Sequence, residues 1–167
     1  MNPRGLREQV GKRDPFESLE QEAALCLMRT ASMLAGPFHA LFKKHRLTEA
    51  SYNTLRILRG HRQAGETEGV RASKIGCELV VRVPDVTRLV DRLVDMGLVE
   101  RCACEKDRRV VYVKITDAGL DLLGRLDGPV RRLHKETLGH LTPDELGTMI
   151  GLMDRARASL EEDGPRA

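Results

Sequence analysis

At Gly97 the apolar period of the chain changes from about 3.6 residues to 2. Before it, Val86, Leu89, Val90 and Leu93 fall on one side of a helix, and Asp85, Arg88, Asp91, Arg92 and Asp95 on the other. After it, Leu98–Cys102 and Val110–Ile115 are rich in β-branched residues and read as strands. The charged segment Glu105-Lys106-Asp107-Arg108-Arg109 between them reads as the tip of a hairpin. Pro84 suits the first position of the helix, where its missing N–H is no loss. Gly97 suits the C′ position, where a left-handed residue closes a helix. A helix that ends on glycine and runs straight into a hairpin leaves few folds open.

The elements on either side narrow the choice. Leu19, Ala23, Leu27, Ala31, Leu34, Phe38 and Leu41 place a long helix over Phe16–Lys44, with a kink or break expected at Gly36-Pro37. Thr48 reads as the N-cap of a helix carrying Tyr52, Leu55 and Leu58 and ending near Gly60. Residues 60–70 are polar and rich in glycine and read as a loop, and a short helix with Ile75 and Leu79 follows. Beyond the hairpin, Thr116 caps a helix with Leu120, Leu123, Leu126, Val130 and Leu133, interrupted at Gly128-Pro129. Thr142-Pro143-Asp144-Glu145 is a capping box that opens a last helix with Leu146, Met149, Ile150, Met153 and Leu160. The order helix, short helix, helix, hairpin is that of a winged helix. The expected fold is therefore mainly α, a winged helix-turn-helix with flanking dimerisation helices and a small β-hairpin wing. The divisions expected are a flexible segment 1–15, a helical dimerisation region 16–46 and 116–162, a winged helix 47–115, and a flexible tail 163–167.

With 167 residues the chain has room for one domain of ordinary size. Aromatic residues are 3% of it, too few for a platform that stacks single-stranded bases. Lys and Arg number 28 against 25 Asp and Glu, a mild excess of +3. It is unevenly spread: residues 1–46 and 71–114 each carry +3, and residues 141–167 carry −3. No apolar run approaches the ~18 residues of a membrane span. The head has no apolar core of a secretion signal, so the expectation is a cytoplasmic protein with no membrane partner and with Cys26, Cys77, Cys102 and Cys104 reduced. No Gly-rich phosphate loop, nucleophile elbow or motif-spaced carboxylate pair is present, so no enzymatic activity and no cofactor are expected.

The run Val86-Thr87-Arg88-Leu89-Val90-Asp91-Arg92-Leu93-Val94-Asp95-Met96-Gly97-Leu98-Val99-Glu100-Arg101, then Asp107-Arg108-Arg109, then Ile115-Thr116-Asp117-Ala118-Gly119, resembles the multiple-antibiotic-resistance regulator (MarR) family. The likeness is strong over residues 47–120 and looser in the flanking helices. It implies a dimeric winged-helix transcription regulator, usually a repressor released by a small molecule or by thiol oxidation. Its implied partners are a pseudo-palindromic operator in double-stranded DNA, a second copy of the chain and an unidentified small-molecule effector. The DNA-contacting positions it implies are Ser73, Lys74, Pro84, Thr87, Arg88, Arg92, Arg108 and Arg109. By spacing alone, Arg88 and Arg92 equally fit a solvated face paired with Asp91 and Asp95. The resemblance assigns Arg88 to the major groove, Arg109 to the minor groove and Arg108 to phosphate, with Asp107 bracing the wing by an ion pair. The chain departs from the family at Arg71-Ala72-Ser73, where a Ser or Thr cap is common, and in the slightly longer connection 60–70.

Cys26 resembles in position the reactive cysteine of the family's organic-hydroperoxide-sensing branch. The tyrosines that polarise that thiol are not apparent, Tyr52 being the one candidate nearby in sequence, so a buried structural cysteine is expected. A redox regulator using Cys26 or Cys102 and Cys104 is the alternative. Cys102-Ala103-Cys104 puts two sulfurs on one strand face, but no His or Cys follows at ligand spacing, so no metal is expected. His39, His45 and His61 lie on or near the helices that line the family's ligand cleft, and none stands out. A protein-interaction module that does not touch DNA is a third reading, disfavoured because the arginines fall where DNA would lie. Leu19, Leu27, Leu34, Leu126, Leu133, Met149 and Met153 exceed what one winged helix covers, which points to a homodimer.

Overall fold

Side-chain caps start five helices of the structure, a computed structural model that describes residues 5–103 and 111–162. The elements are α1 (Leu6–Gln9), α2 (Leu19–Lys43), α3 (Glu49–Gln63), β1 (Val70–Arg71), α4 (Ala72–Glu78), α5 (Val86–Asp95), β2 (Val99–Ala103), β3 (Val111–Ile115), α6 (Asp117–Leu138) and α7 (Pro143–Glu162). Ser18 accepts from the Gln21 amide at the head of α2, and Thr48 Oγ1 from the Ser51 amide at the head of α3. Thr116 Oγ1 accepts from the Gly119 amide. The box at Thr142 closes as its sequence implies, with Glu145 N to Thr142 Oγ1 at 3.3 Å and Thr142 N to Glu145 Oε2 at 2.8 Å. Asp85 caps α5 by accepting from Arg88 N at 2.9 Å. Pro84 is thus not the first residue of that helix; it precedes the cap, because the Asp85 carboxylate is what satisfies the free amide of the first turn.

Neither proline breaks its helix. α2 runs through Pro37 and α6 through Pro129. In both, the preceding residue is glycine, which has no Cβ to meet the proline ring and so tolerates the helical conformation there. α3 continues to Gln63 rather than stopping near Gly60. Within the segment assigned to 1–15, Leu6–Gln9 form one helical turn with Leu6 buried, and Gln9 Oε1 accepts from Arg29 Nε of α2.

The sheet has three strands in the order β1-β3-β2, not two. β2 pairs antiparallel with β3, from Val99↔Ile115 to Ala103↔Val111. β1 adds Val70↔Val113 and Arg71↔Tyr112 on the other side. Gly69, at φ 97°, permits this: a Cβ there would lie 2.8 Å from the Val113 carbonyl oxygen and from Lys114 Cγ. After α5, Gly97 at φ 68° donates to Val94 O and Leu98 donates to Leu93 O, the double bond of a Schellman motif.

The chain forms two compact units, one up to Pro129 and one from Val130. The first has its core in Leu55 of α3, Ile75 of α4, Val90 and Leu93 of α5, Val70 and Val113 of the sheet, and Leu123 and Leu126 of α6, all essentially without exposure. Each such side chain contributes about 1.5–3 kcal/mol of burial. In α2, by contrast, every residue from 23 to 33 is exposed. In the second unit Leu146, Met149 and Met153 are half-buried, and Ile150, Leu152 and Leu160 are exposed. No helix among the described residues is long and apolar enough to cross a membrane.

Candidate nucleic-acid interface

The outer face of α5 is built by three devices. The apolar stripe fixes its rotation, with Val90 and Leu93 fully buried. The Asp85 cap and the Gly97 closure fix its ends. The turn before it is held by Asn53 of α3, whose Oδ1 accepts from Val80 N at 2.8 Å. Pro84, Thr87 and Arg88 are all exposed at the N-terminal end of α5. The Arg88 guanidinium has no partner among the described residues.

Arg92, one turn on, is differently placed. It is exposed too, but its Nη2 donates to the carbonyl of Arg46 at 3.1 Å, in the turn between α2 and α3. Asp91 pairs with Arg101 Nη1 of β2 at 2.8 Å, across to the strand rather than with Arg88 or Arg92 on its own helix. This ion pair ties α5 to the root of the wing. No spacing signalled it, because its partners meet only through the fold.

Ser73 lies in the first turn of α4, exposed, and α4 starts without a side-chain cap since its N-cap residue is Arg71. Lys74 Nζ stands 3.5 Å from Glu66 Oε1. Asp107, Arg108, Arg109 and Cys104 lie outside the described residues. Cys26 is exposed rather than buried, since it sits on the bare stretch of α2. Tyr52 does not reach it: the ring stacks on Phe42 at 4.3 Å, and its hydroxyl has no hydrogen-bond partner among the described residues. Among the described residues no three His, Cys, Asp or Glu side chains cluster as metal ligands.

Two ion-paired groups fasten the helices behind this face. Arg59 of α3 makes a bidentate pair with Asp127 of α6, at 2.8 and 2.9 Å, which raises the arginine's pKa still further. His61, near the end of α3, has Glu66 Oε1 2.9 Å from Nδ1 and Glu78 Oε2 2.8 Å from Nε2. The hydrogen bond to Glu78, then that to Glu66, holds the imidazole pKa above its usual value, and His61 in turn lowers that of Glu66. Sequence reading had left His61 undistinguished from His39 and His45; its partners lie on another helix and in a loop.

Comparison with known proteins places this arrangement. The sequence profile of the MarR family matches residues 47–111. A crystal structure of a MarR transcription factor from Planctomyces limnophilus is 45% identical, with a TM-score of 0.63, over 84% of this chain and 98% of that one. The HTH-type transcriptional regulator TtmR of Methylorubrum extorquens (strain PA1) is 27% identical over 98% of this chain and 78% of its own length. A mutant MarR from E. coli, crystallised in complex with operator DNA, shares the fold at 24% identity and a TM-score of 0.70, over 84% of this chain and 99% of that one.

Proposed function

The chain belongs to the MarR family and is a DNA-binding transcriptional regulator, and from that premise we propose that it acts as a homodimeric repressor of nearby genes, released by a small-molecule effector. It is read as a regulator and not an enzyme. The observation that carries the reading is Arg88: exposed, in the first turn of α5, and without a side-chain partner among the described residues. A recognition helix meets base edges with its N-terminal residues, where an arginine can pair with guanine in the major groove. Thr87 and Pro84 beside it, and Ser73 and Lys74 on α4, would track the flanking phosphates. Arg109 would enter the adjacent minor groove and Arg108 touch phosphate, with Asp107 bracing them. Arg92 would support the helix more than read the DNA, given its bond to Arg46.

The test is a band shift with DNA from beside the protein's own gene. Arg88→Ala should lose about 1–3 kcal/mol of operator affinity and relax discrimination at one base position. If the contact is to phosphate, specific and non-specific binding should weaken alike and the salt slope should fall by about one. Operator affinity unchanged by Arg88→Ala would overturn this placement of the DNA surface.

A further inference from the structure

We propose that His61 is a positioning residue for DNA binding: as an imidazolium it ties the end of α4 to the end of α3, and loss of its proton weakens the grip on DNA. The inference rests on the DNA-binding role of α5. Carboxylates at neutral pH only accept. Both ring nitrogens of His61 face one, Glu66 at 2.9 Å and Glu78 at 2.8 Å. Both must therefore carry protons. A neutral ring would turn a lone pair toward one of the two carboxylates. The ring is 15% exposed and the carboxylates of Glu66 and Glu78 45% and 37%, so water softens that repulsion only in part.

The charge has a route to the DNA face. Glu78 is the last residue of α4. Two residues earlier, Gly76 packs so closely on α5 that a Cβ there would stand 3.0 Å from Val86 Cγ2. Val86 is the first residue of α5, two before Arg88. Releasing Glu78 frees α4 where it supports the N-terminal turn of the recognition helix. No other described group can replace the imidazolium. Lys74 of α4 stands 3.5 Å from Glu66 and makes no ion pair with Glu78. Arg62 of α3 pairs with Asp117 at 3.3 Å. Arg62, Lys114 of β3 and Glu100 of β2 line the same cavity of about 230 Å³ as His61. A group whose proton is favoured by folding contributes below its unfolded pKa, about 6.5 for histidine, and loses the contribution as pH rises through the higher folded value. The pull on DNA should therefore weaken as pH rises above the ordinary histidine range.

The probe is a fluorescent duplex selected from a random pool by the full-length protein, its affinity measured by anisotropy from pH 6 to 9. In parallel, NMR follows the His61 ring proton. The wild type should bind roughly three- to tenfold more weakly at the alkaline end, beyond any loss shared by all variants, the size set by one partly exposed ion pair. His61→Gln should bind weakly throughout and lack that component. His61→Lys, a permanent cation, should bind tightly across the range. The other four histidines stay in every variant, so their contribution cancels in the comparison. Glu78→Gln should lower the His61 titration midpoint and flatten the pH dependence of DNA binding, a test that stands even if His61→Gln folds poorly. Parallel profiles for wild type and His61→Gln, a His61→Lys variant as weak as His61→Gln, or a Glu78→Gln variant that keeps the wild-type pH profile of binding, would each overturn the proposal. A protein that binds no duplex at any pH would refute the DNA reading itself, and this role with it.

Discussion

Arg88 and Arg92 are one turn apart on one helix, yet their surroundings give them different work. The Arg88 head has no partner among the described residues, and Arg92 gives a hydrogen bond to Arg46, a residue held at φ 60° in the turn after α2. A hydrogen bond from a charged donor to a carbonyl is worth about 1 kcal/mol or somewhat more. Arg92→Ala should accordingly lower stability by about 1 kcal/mol in urea unfolding, with a smaller effect on operator discrimination than Arg88→Ala. Arg88→Ala should unfold at the wild-type midpoint while losing operator affinity. Equal stability of the two variants would show that the Arg46 contact contributes nothing in solution. The four-residue spacing gave both arginines the same face from sequence, and that much was correct. Their separate partners could not be read there. Arg46 lies 46 positions from Arg92, and Asp91 meets Arg101 only once β2 has folded back beside α5.

Where α5, the sheet and α6 join, local chemistry written in the sequence decides the geometry. Thr116 accepts from Gly119 N and donates to the Gly97 carbonyl at 2.8 Å, so one hydroxyl fastens the helix start to the helix end before the wing. Gly119 is needed for this approach, since a Cβ would lie 2.8 Å from Ile115 Cγ1 and closer still to the Leu98 carbonyl. Gly119→Ala should cost at least about 2 kcal/mol, through overpacking against backbone that cannot yield. Gly124, later in α6, has nothing within 4 Å of such a Cβ. Gly124→Ala should instead stabilise by up to about 1 kcal/mol, because alanine is the better helix former. Thermal unfolding of the pair separates packing from propensity, and a stable Gly119→Ala would contradict the junction described. The caps at Thr48, Thr116 and Thr142 and the closing Gly97 were legible because each acts within four residues, whereas the caps at Ser18 and Asp85 and the run of α3 past Gly60 were not. β1 was not, because two residues carry no period to detect. Pro37 pointed to a kink or break and Pro129 to an interruption, yet both helices run on through them, the glycine before each having no Cβ to meet the proline ring.

Across the chain, what remains unsatisfied is apolar surface. On α2, Leu19 is 81% exposed, Met28 68% and Met33 65%, and on α7 Leu160 is 74% exposed. Large apolar side chains left exposed along a helix are the pattern of a helix that takes another helix as its partner. A second copy of the chain would cover these side chains, since a two-fold axis lets the same surface serve both sides. Two copies would also present two α5 helices to the two halves of a palindrome, whereas one copy meets a single half-site. Sedimentation should therefore give a dimer at micromolar concentration, and a folded monomer there would sink the assembly. Leu27, 48% exposed at the centre of the bare stretch, is the place to break it. Leu27→Glu leaves the core of the first unit untouched but sets two like charges against apolar surface in the dimer, a cost of several kcal/mol. The variant should sediment as a monomer, keep most of its helical signal, and lose operator affinity by far more than its loss of stability explains. If it binds the operator like the wild type while monomeric, DNA recognition by this chain does not depend on pairing, and the palindromic operator goes with it.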